Sequence, residues 1–122
     1  MSTIVRVGLL ELAFGAMLGW VVAGNFIAPQ LLRRAGVNHA RRILQAHLDY
    51  VIMGIILIAV GLAVPQLPAW IAAVVIYGTL MNPTLFIPLA FNEGLKANAI
   101  YRVVTVSSFL ATSVGLTLVA FQ

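Results

Sequence analysis

The sequence predicts an all-α integral membrane protein, a bundle of four transmembrane helices. Hydrophobic residues make up 62% of the 122 residues and charged residues only 8%, which is far from the composition of soluble domains. Apolar runs of about 20 residues, the length that spans a bilayer, occupy most of the chain. The connections between these runs are short. We therefore expect one domain of closely packed helices, which is oligomeric in the membrane.

Four windows have the length and hydropathy of a membrane span. They cover residues 4–28, 46–64, 68–91 and 99–121. The link between the second and third windows is so short that these helices form a tight hairpin. Segment 35–45 mixes apolar and basic residues, so it is either an interfacial extension of the second helix or a solvated loop. Pro83 and Pro88 remove backbone donors, which predicts kinks near the middle and near the end of the third helix.

The basic residues indicate topology rather than binding of nucleic acid. The formal net charge is +4, but of the seven cations only Arg6 lies at one end of the predicted bundle. The other six are Arg33, Arg34, Arg41, Arg42, Lys96 and Arg102. By the positive-inside rule, these six face the cytoplasm and both termini face away from it. We expect membrane lipid as a partner, no nucleic acid, and a location in a bacterial inner membrane.

Polar side chains inside the predicted helices are functional candidates, because an unpaired polar group in hydrocarbon costs several kcal/mol. Glu11 is a proton carrier, or it reaches the interface or pairs with a basic residue. Asp49 points away from the face of His47 and can pair with Arg41 or Arg42, which favours a structural role.

The third helix and the tyrosines add further candidates. Asn82, at the expected kink, can orient a polar atom of a substrate or bind carbonyls freed by Pro83. Tyr50, Tyr77 and Tyr101 can each donate a phenolic proton, although tyrosine is also common at membrane interfaces.

His47 begins the second helix and shares a face with Tyr50, Gly54 and Gly61. A neutral imidazole is a good axial ligand for haem iron, and the two glycines leave room for a planar macrocycle against the helix. Alternatively, His47 is an interfacial residue that marks the membrane boundary. On the first helix, the spacing of Gly15 and Gly19 favours close helix packing.

The start of the second helix resembles a known family of small membrane isomerases. It has the sequence LQAHLD at residues 44–49, followed by MGI at 53–55 and GL at 61–62. These residues are similar to those of hydroxylaminobenzene mutases and styrene oxide isomerases. The chain length and the four spans are also similar. So is an asparagine with a nearby aromatic residue in the third helix, here Asn82 and Phe86. Met53 departs from the pattern of styrene oxide isomerases, which have an asparagine there.

This resemblance implies a homotrimer with haem b between its subunits. His47 would be the axial ligand to the iron, with Gly54 and Gly61 beside the cofactor. Asn82, Tyr50 and Tyr77 are then the candidate catalytic residues. The implied reaction is the rearrangement of a small apolar aromatic epoxide or aryl hydroxylamine, with the metal acting as a Lewis acid and no net redox change.

Two other classes of function fit parts of the sequence. A lone membrane carboxyl group, Glu11, in a chain with four spans is typical of small proton-coupled multidrug transporters. The absence of a complete catalytic set from the sequence is also compatible with an accessory subunit of a larger complex. The leading hypothesis remains the haem-dependent isomerase.

Overall fold

The computed structural model describes all residues from Met1 to Gln122 and confirms the all-α prediction. We number the helices α1 (Thr3–Ile27), α2 (Pro29–Arg34), α3 (Ala40–Ala63), α4 (Ala69–Thr84), α5 (Phe86–Phe91) and α6 (Ala99–Ala120). A 3₁₀ turn, Glu93–Ala97, precedes α6. Four helical segments, α1, α3, α4 with α5, and α6, are long and apolar enough to cross a membrane. The chain is therefore a multi-pass integral membrane protein.

The first connection contains more helix than the sequence predicted. Pro29 starts α2, where its fixed φ suits the first helical turn. Gly36 follows the end of α2 with φ +97°, a left-handed conformation that favours glycine. Helix α3 then begins at Ala40 rather than at residue 46. Residues 40–45 are therefore a helical extension of the second span, whereas residues 35–39 are not helical.

The third span is interrupted at Leu85, between the two prolines that were expected to kink it. Pro88 has no N–H group for the carbonyl of Thr84, and Pro83 has none for that of Thr79. The helix therefore lacks two hydrogen bonds, one before Leu85 and one that would span it, and α4 and α5 are separate at this residue. The hydroxyl of Tyr101 donates to the Leu85 carbonyl at 2.5 Å and ties α6 to the interruption.

Helices α1 and α3 form the most extensive contact in the protein, along a glycine seam of Gly8, Gly15, Gly54 and Gly61. A Cβ atom on Gly54 would lie 2.7 Å from the backbone nitrogen of Leu12 and 2.9 Å from the carbonyl oxygen of Gly8. Such close approach of backbones is typical of helix pairs in lipid, where small residues allow dense packing.

Helices α4 and α6 form the second tight pair, where Gly78 contacts Thr112 and Gly115 contacts Val75. Helix α3 also packs on α4 and α5, but it has no extensive contact with α6. The four spans therefore do not form a closed bundle. A gap between α3 and α6 remains on one side.

Candidate functional site

The gap between α3 and α6 contains a cavity of about 590 Å³. Its polar lining consists of Arg42, Gln45, Asp49, Asn82, Lys96, Tyr101 and Thr105. The rest of the wall is apolar and includes Met53, Phe86 and Phe109. A volume of this size, lined by apolar side chains together with polar groups that can orient a ligand, is typical of sites for small molecules.

Asn82 is the only one of the three predicted catalytic residues that lines the cavity. The hydroxyl of Ser108 donates to its Oδ1 at 2.5 Å, and its Nδ2 donates to Oγ1 of Thr112 at 3.1 Å. The amide thus binds α6 rather than the carbonyls around Pro83. One N–H and one lone pair of the amide have no protein partner.

Tyr50 and Tyr77 do not line the cavity, and both phenolic protons are engaged. The Tyr50 hydroxyl lies 2.5 Å from Oγ1 of Thr84, which itself donates to a backbone carbonyl, so the tyrosine is the donor. By the same reasoning, Tyr77 donates to Ser107 at 2.6 Å. The structure instead places Tyr101 in the cavity wall, and its hydroxyl likewise donates to a carbonyl, that of Leu85.

His47 is half-buried and lies against α1. Its Nδ1 is 2.6 Å from the carbonyl oxygen of Gly15. Because a carbonyl only accepts hydrogen bonds, Nδ1 carries a proton, and in the neutral ring the lone pair is then on Nε2. The ring also packs on Gly19, where a Cβ atom would lie 3.2 Å from Cε1 of the imidazole. His47 does not line the cavity, so one chain does not bring the imidazole and Asn82 together.

Gly54 and Gly61 belong to the glycine seam and are covered by α1. A Cβ atom on Gly61 would collide with the side chains of Ile4 and Val5. The face of α3 that was expected to accommodate a macrocycle is therefore covered by α1. The structure assigns both glycines to helix packing instead of to cofactor binding.

Asp49 makes no ion pair, so the interpretation that it pairs with Arg41 or Arg42 is wrong. Arg42 binds Glu93 through Nε at 2.6 Å and Nη2 at 3.2 Å, and Nζ of Lys96 lies 2.9 Å from the same carboxylate. We call Arg42, Glu93 and Lys96 the ion cluster. It lowers the pKa of Glu93 to about 2, because hydrogen bonds from Arg42 and Lys96 stabilise the carboxylate. The ion cluster also holds the 3₁₀ turn against α3 beside the cavity.

Glu11 is only 3% exposed, and neither of its carboxyl oxygens has a hydrogen-bond partner. It lies between Gly8 and Gly15 in the helical repeat of α1, on the face that packs against α3. It does not pair with a basic residue, and it does not line the cavity.

Comparison with known proteins does not assign this chain to a family. No protein-family model, curated protein or solved structure matches it. The side chains also form no group of three or more His, Cys, Asp or Glu that would bind a metal ion directly. Haem iron differs from a free ion in this respect, because the macrocycle supplies four of its ligands and the protein supplies an axial one. The features of this chain that bear on function are therefore the cavity and His47.

Proposed function

We propose that this chain is a haem-dependent membrane isomerase that rearranges a small apolar aromatic epoxide or aryl hydroxylamine. The observation that carries the proposal is the hydrogen bond from Nδ1 of His47 to the carbonyl of Gly15. Histidines that bind metals usually donate their other ring N–H to a carbonyl or carboxylate, which orients the ring and raises the basicity of the ligand. His47 therefore fits the axial position through Nε2.

The arrangement of the single chain supports a homo-oligomer, such as the trimer that the resemblance implies. His47 packs on α1, whereas the cavity lies between α3 and α6. A reaction that uses both the imidazole and the cavity therefore needs a second subunit. Helix α1 also closes the glycine face of α3, which leaves the surface between subunits as the place for a cofactor.

The cavity residues suit the proposed substrates. Phe86 and Phe109 offer aromatic surface to an apolar ring, and the free N–H of Asn82 can bind the oxygen of an epoxide or a hydroxylamine. Asp49 can accept a hydrogen bond from the N–H or O–H of a hydroxylamine. Bound haem would supply a Lewis acid that polarises a C–O or N–O bond. The surrounding residues would orient the ring and exclude water from the reacting bond.

The first test is the visible absorption spectrum of the detergent-purified protein after expression with haem supply. We expect a strong haem band in the wild type and its loss in His47→Ala. The matched control is His39→Ala, because His39 is exposed and precedes α3. This control should keep the band. A colourless wild type, or a band that survives in His47→Ala, would contradict the proposal.

The second test distinguishes the role of the cavity in turnover from the binding of the cofactor. Asn82→Ala should keep the haem band but lower the turnover of phenylhydroxylamine or styrene oxide on the order of tenfold, the effect of about 1.4 kcal/mol in the transition state. Ser113→Ala changes an exposed hydroxyl on another part of α6 and should have no effect on turnover. Equal turnover in the Asn82 variant and the wild type would exclude the cavity as the reaction site.

The second candidate function is proton-coupled transport through Glu11, and the buried unpartnered carboxyl group is the observation that favours it. Because Glu11 lies at the contact between α1 and α3, this function requires the glycine seam to open. Binding of a lipophilic cation should then compete with protons and be lost in Glu11→Gln. Binding that is independent of pH would exclude transport by this route.

A further inference from the structure

A second groove, with a volume of about 330 Å³, lies where the end of α1, the short helix α2 and the start of α3 meet. Its lining includes the apolar Val22, Phe26, Leu32 and Leu44 and the polar Asn25 and Arg41. It is separate from the cavity between α3 and α6, with which it shares no lining residue. The proposed isomerase reaction does not use it.

The groove has uncompensated positive charge at its polar end. Arg41 is exposed and forms neither an ion pair nor a side-chain hydrogen bond. Arg33 and Arg34, which follow Leu32 in α2, are also exposed and without a carboxylate partner. The adjacent Arg42 differs, because Glu93 neutralises it in the ion cluster. A free arginine thus lies directly beside an apolar surface.

We infer that this groove binds an anionic phospholipid, with the phosphate group on Arg41 and an acyl chain along the apolar wall. Basic pockets beside membrane helices on the cytoplasmic side are typical sites for anionic head groups. Six of the seven cations lie at the end of the helical bundle where the groove is. A free phosphate ion would leave the apolar wall uncovered. A second copy would not neutralise Arg41, because its three acidic residues are not free on the surface: Glu11 is buried, Glu93 is paired in the ion cluster and Asp49 lines the cavity.

Native mass spectrometry of the delipidated full chain in detergent tests this inference. The probes are phosphatidylglycerol and phosphatidylcholine with identical acyl chains. We expect the wild type to retain one phosphatidylglycerol per chain in preference to phosphatidylcholine. Arg41→Gln should lower the affinity for phosphatidylglycerol about fivefold, the effect of one interfacial cation, and leave phosphatidylcholine unchanged.

Arg102→Gln is the matched control, because Arg102 is an exposed cation at the same end but on α6. It should leave the affinity for phosphatidylglycerol unchanged. Leu44→Trp puts a larger side chain in the apolar wall, which narrows the groove and should weaken the binding of both lipids. The inference is overturned if Arg41→Gln and Arg102→Gln have equal effects, or if the wild type does not prefer phosphatidylglycerol. It is also overturned if Leu44→Trp changes the oligomeric state but not the amount of bound lipid, since a second copy then covers the groove.

Discussion

The two sides of α3 differ in how closely its neighbours approach. On one side, the glycine seam brings the backbone of α1 so near that a Cβ atom on Gly54 would lie 2.7 Å from a backbone atom. On the other side, α6 stays away and leaves a cavity of about 590 Å³. Both sides carry apolar residues, and the open side also carries Arg42, Gln45 and Asp49. Apolar residues alone do not decide which side closes, because lipid competes equally well for hydrophobic surface.

Two local features explain the difference. The closed side carries small residues in register with those of α1, so the backbones can meet. The open side carries larger side chains, such as Leu48, Ile52 and Met53. In addition, the hydrogen bonds of Asn82 with Ser108 and Thr112 hold α6 against α4 instead of α3. The packing of these helices thus depends on the size of the side chains between them and on hydrogen bonds between polar side chains.

The largest expected effect comes from adding one methyl group to the seam. Gly54→Ala should destabilise the protein by about 2–3 kcal/mol, because the nearest atoms belong to the backbone of α1 and cannot rotate away. The free energy of unfolding in mixed micelles measures this effect. Gly24→Ala is the control, since nothing lies within 4 Å of a Cβ atom there, and it should be neutral or slightly stabilising. Equal stability of the two variants would show that the seam is loosely packed.

The second prediction concerns the polar group inside the closed side. Glu11→Met should stabilise the protein by about 1–2 kcal/mol, because it removes a buried carboxyl group that has no partner and keeps a similar volume. The same unfolding measurement applies. A loss of stability would instead indicate that Glu11 has a partner in the assembled protein.

The third prediction concerns the ion cluster beside the open side. The pKa of Glu93 is about 2, below its ordinary value of 4.5, so its carboxylate stabilises the fold above about pH 4.5 and loses this effect as the pH falls toward 2. The difference in unfolding free energy between the wild type and Glu93→Gln should therefore be constant above pH 5 and shrink below it. High salt should reduce the difference as well. A difference that is the same at pH 3 and pH 7 would mean that the pairs with Arg42 and Lys96 contribute nothing.

The smallest effect is expected from enlarging a side chain in the cavity wall. Ile52→Phe should change the unfolding free energy by no more than about 0.5 kcal/mol, because Ile52 is 54% exposed and the added atoms enter open space. This result would contrast directly with Gly54→Ala, two residues along α3. A large loss of stability would show that α6 closes on α3 in the membrane.

The candidate site could be predicted from the sequence only in part. Asn82 and His47 were identified because a polar side chain is conspicuous in an apolar helix. Tyr50 and Tyr77 have the same chemistry as Tyr101, and no feature of the sequence indicates that only Tyr101 lines the cavity. The sequence also did not show which carboxyl group pairs with Arg42. Asp49 is nearer along the chain, but the structure pairs Arg42 with Glu93, 51 residues away.

Hydropathy and segment length along the chain were enough to predict the fold class and the number of spans. Both properties act locally, and each helix satisfies its own backbone hydrogen bonds in lipid. The sequence also determined that the cations gather at one end. The contacts between helices were needed to see that Gly54 and Gly61 meet α1, that Asn82 binds α6, and that the gap beside α3 stays open. These contacts depend on which helices face each other. In lipid, small residues that fit together and interhelical hydrogen bonds determine this pairing. The periodicity of a single helix does not reveal either of them.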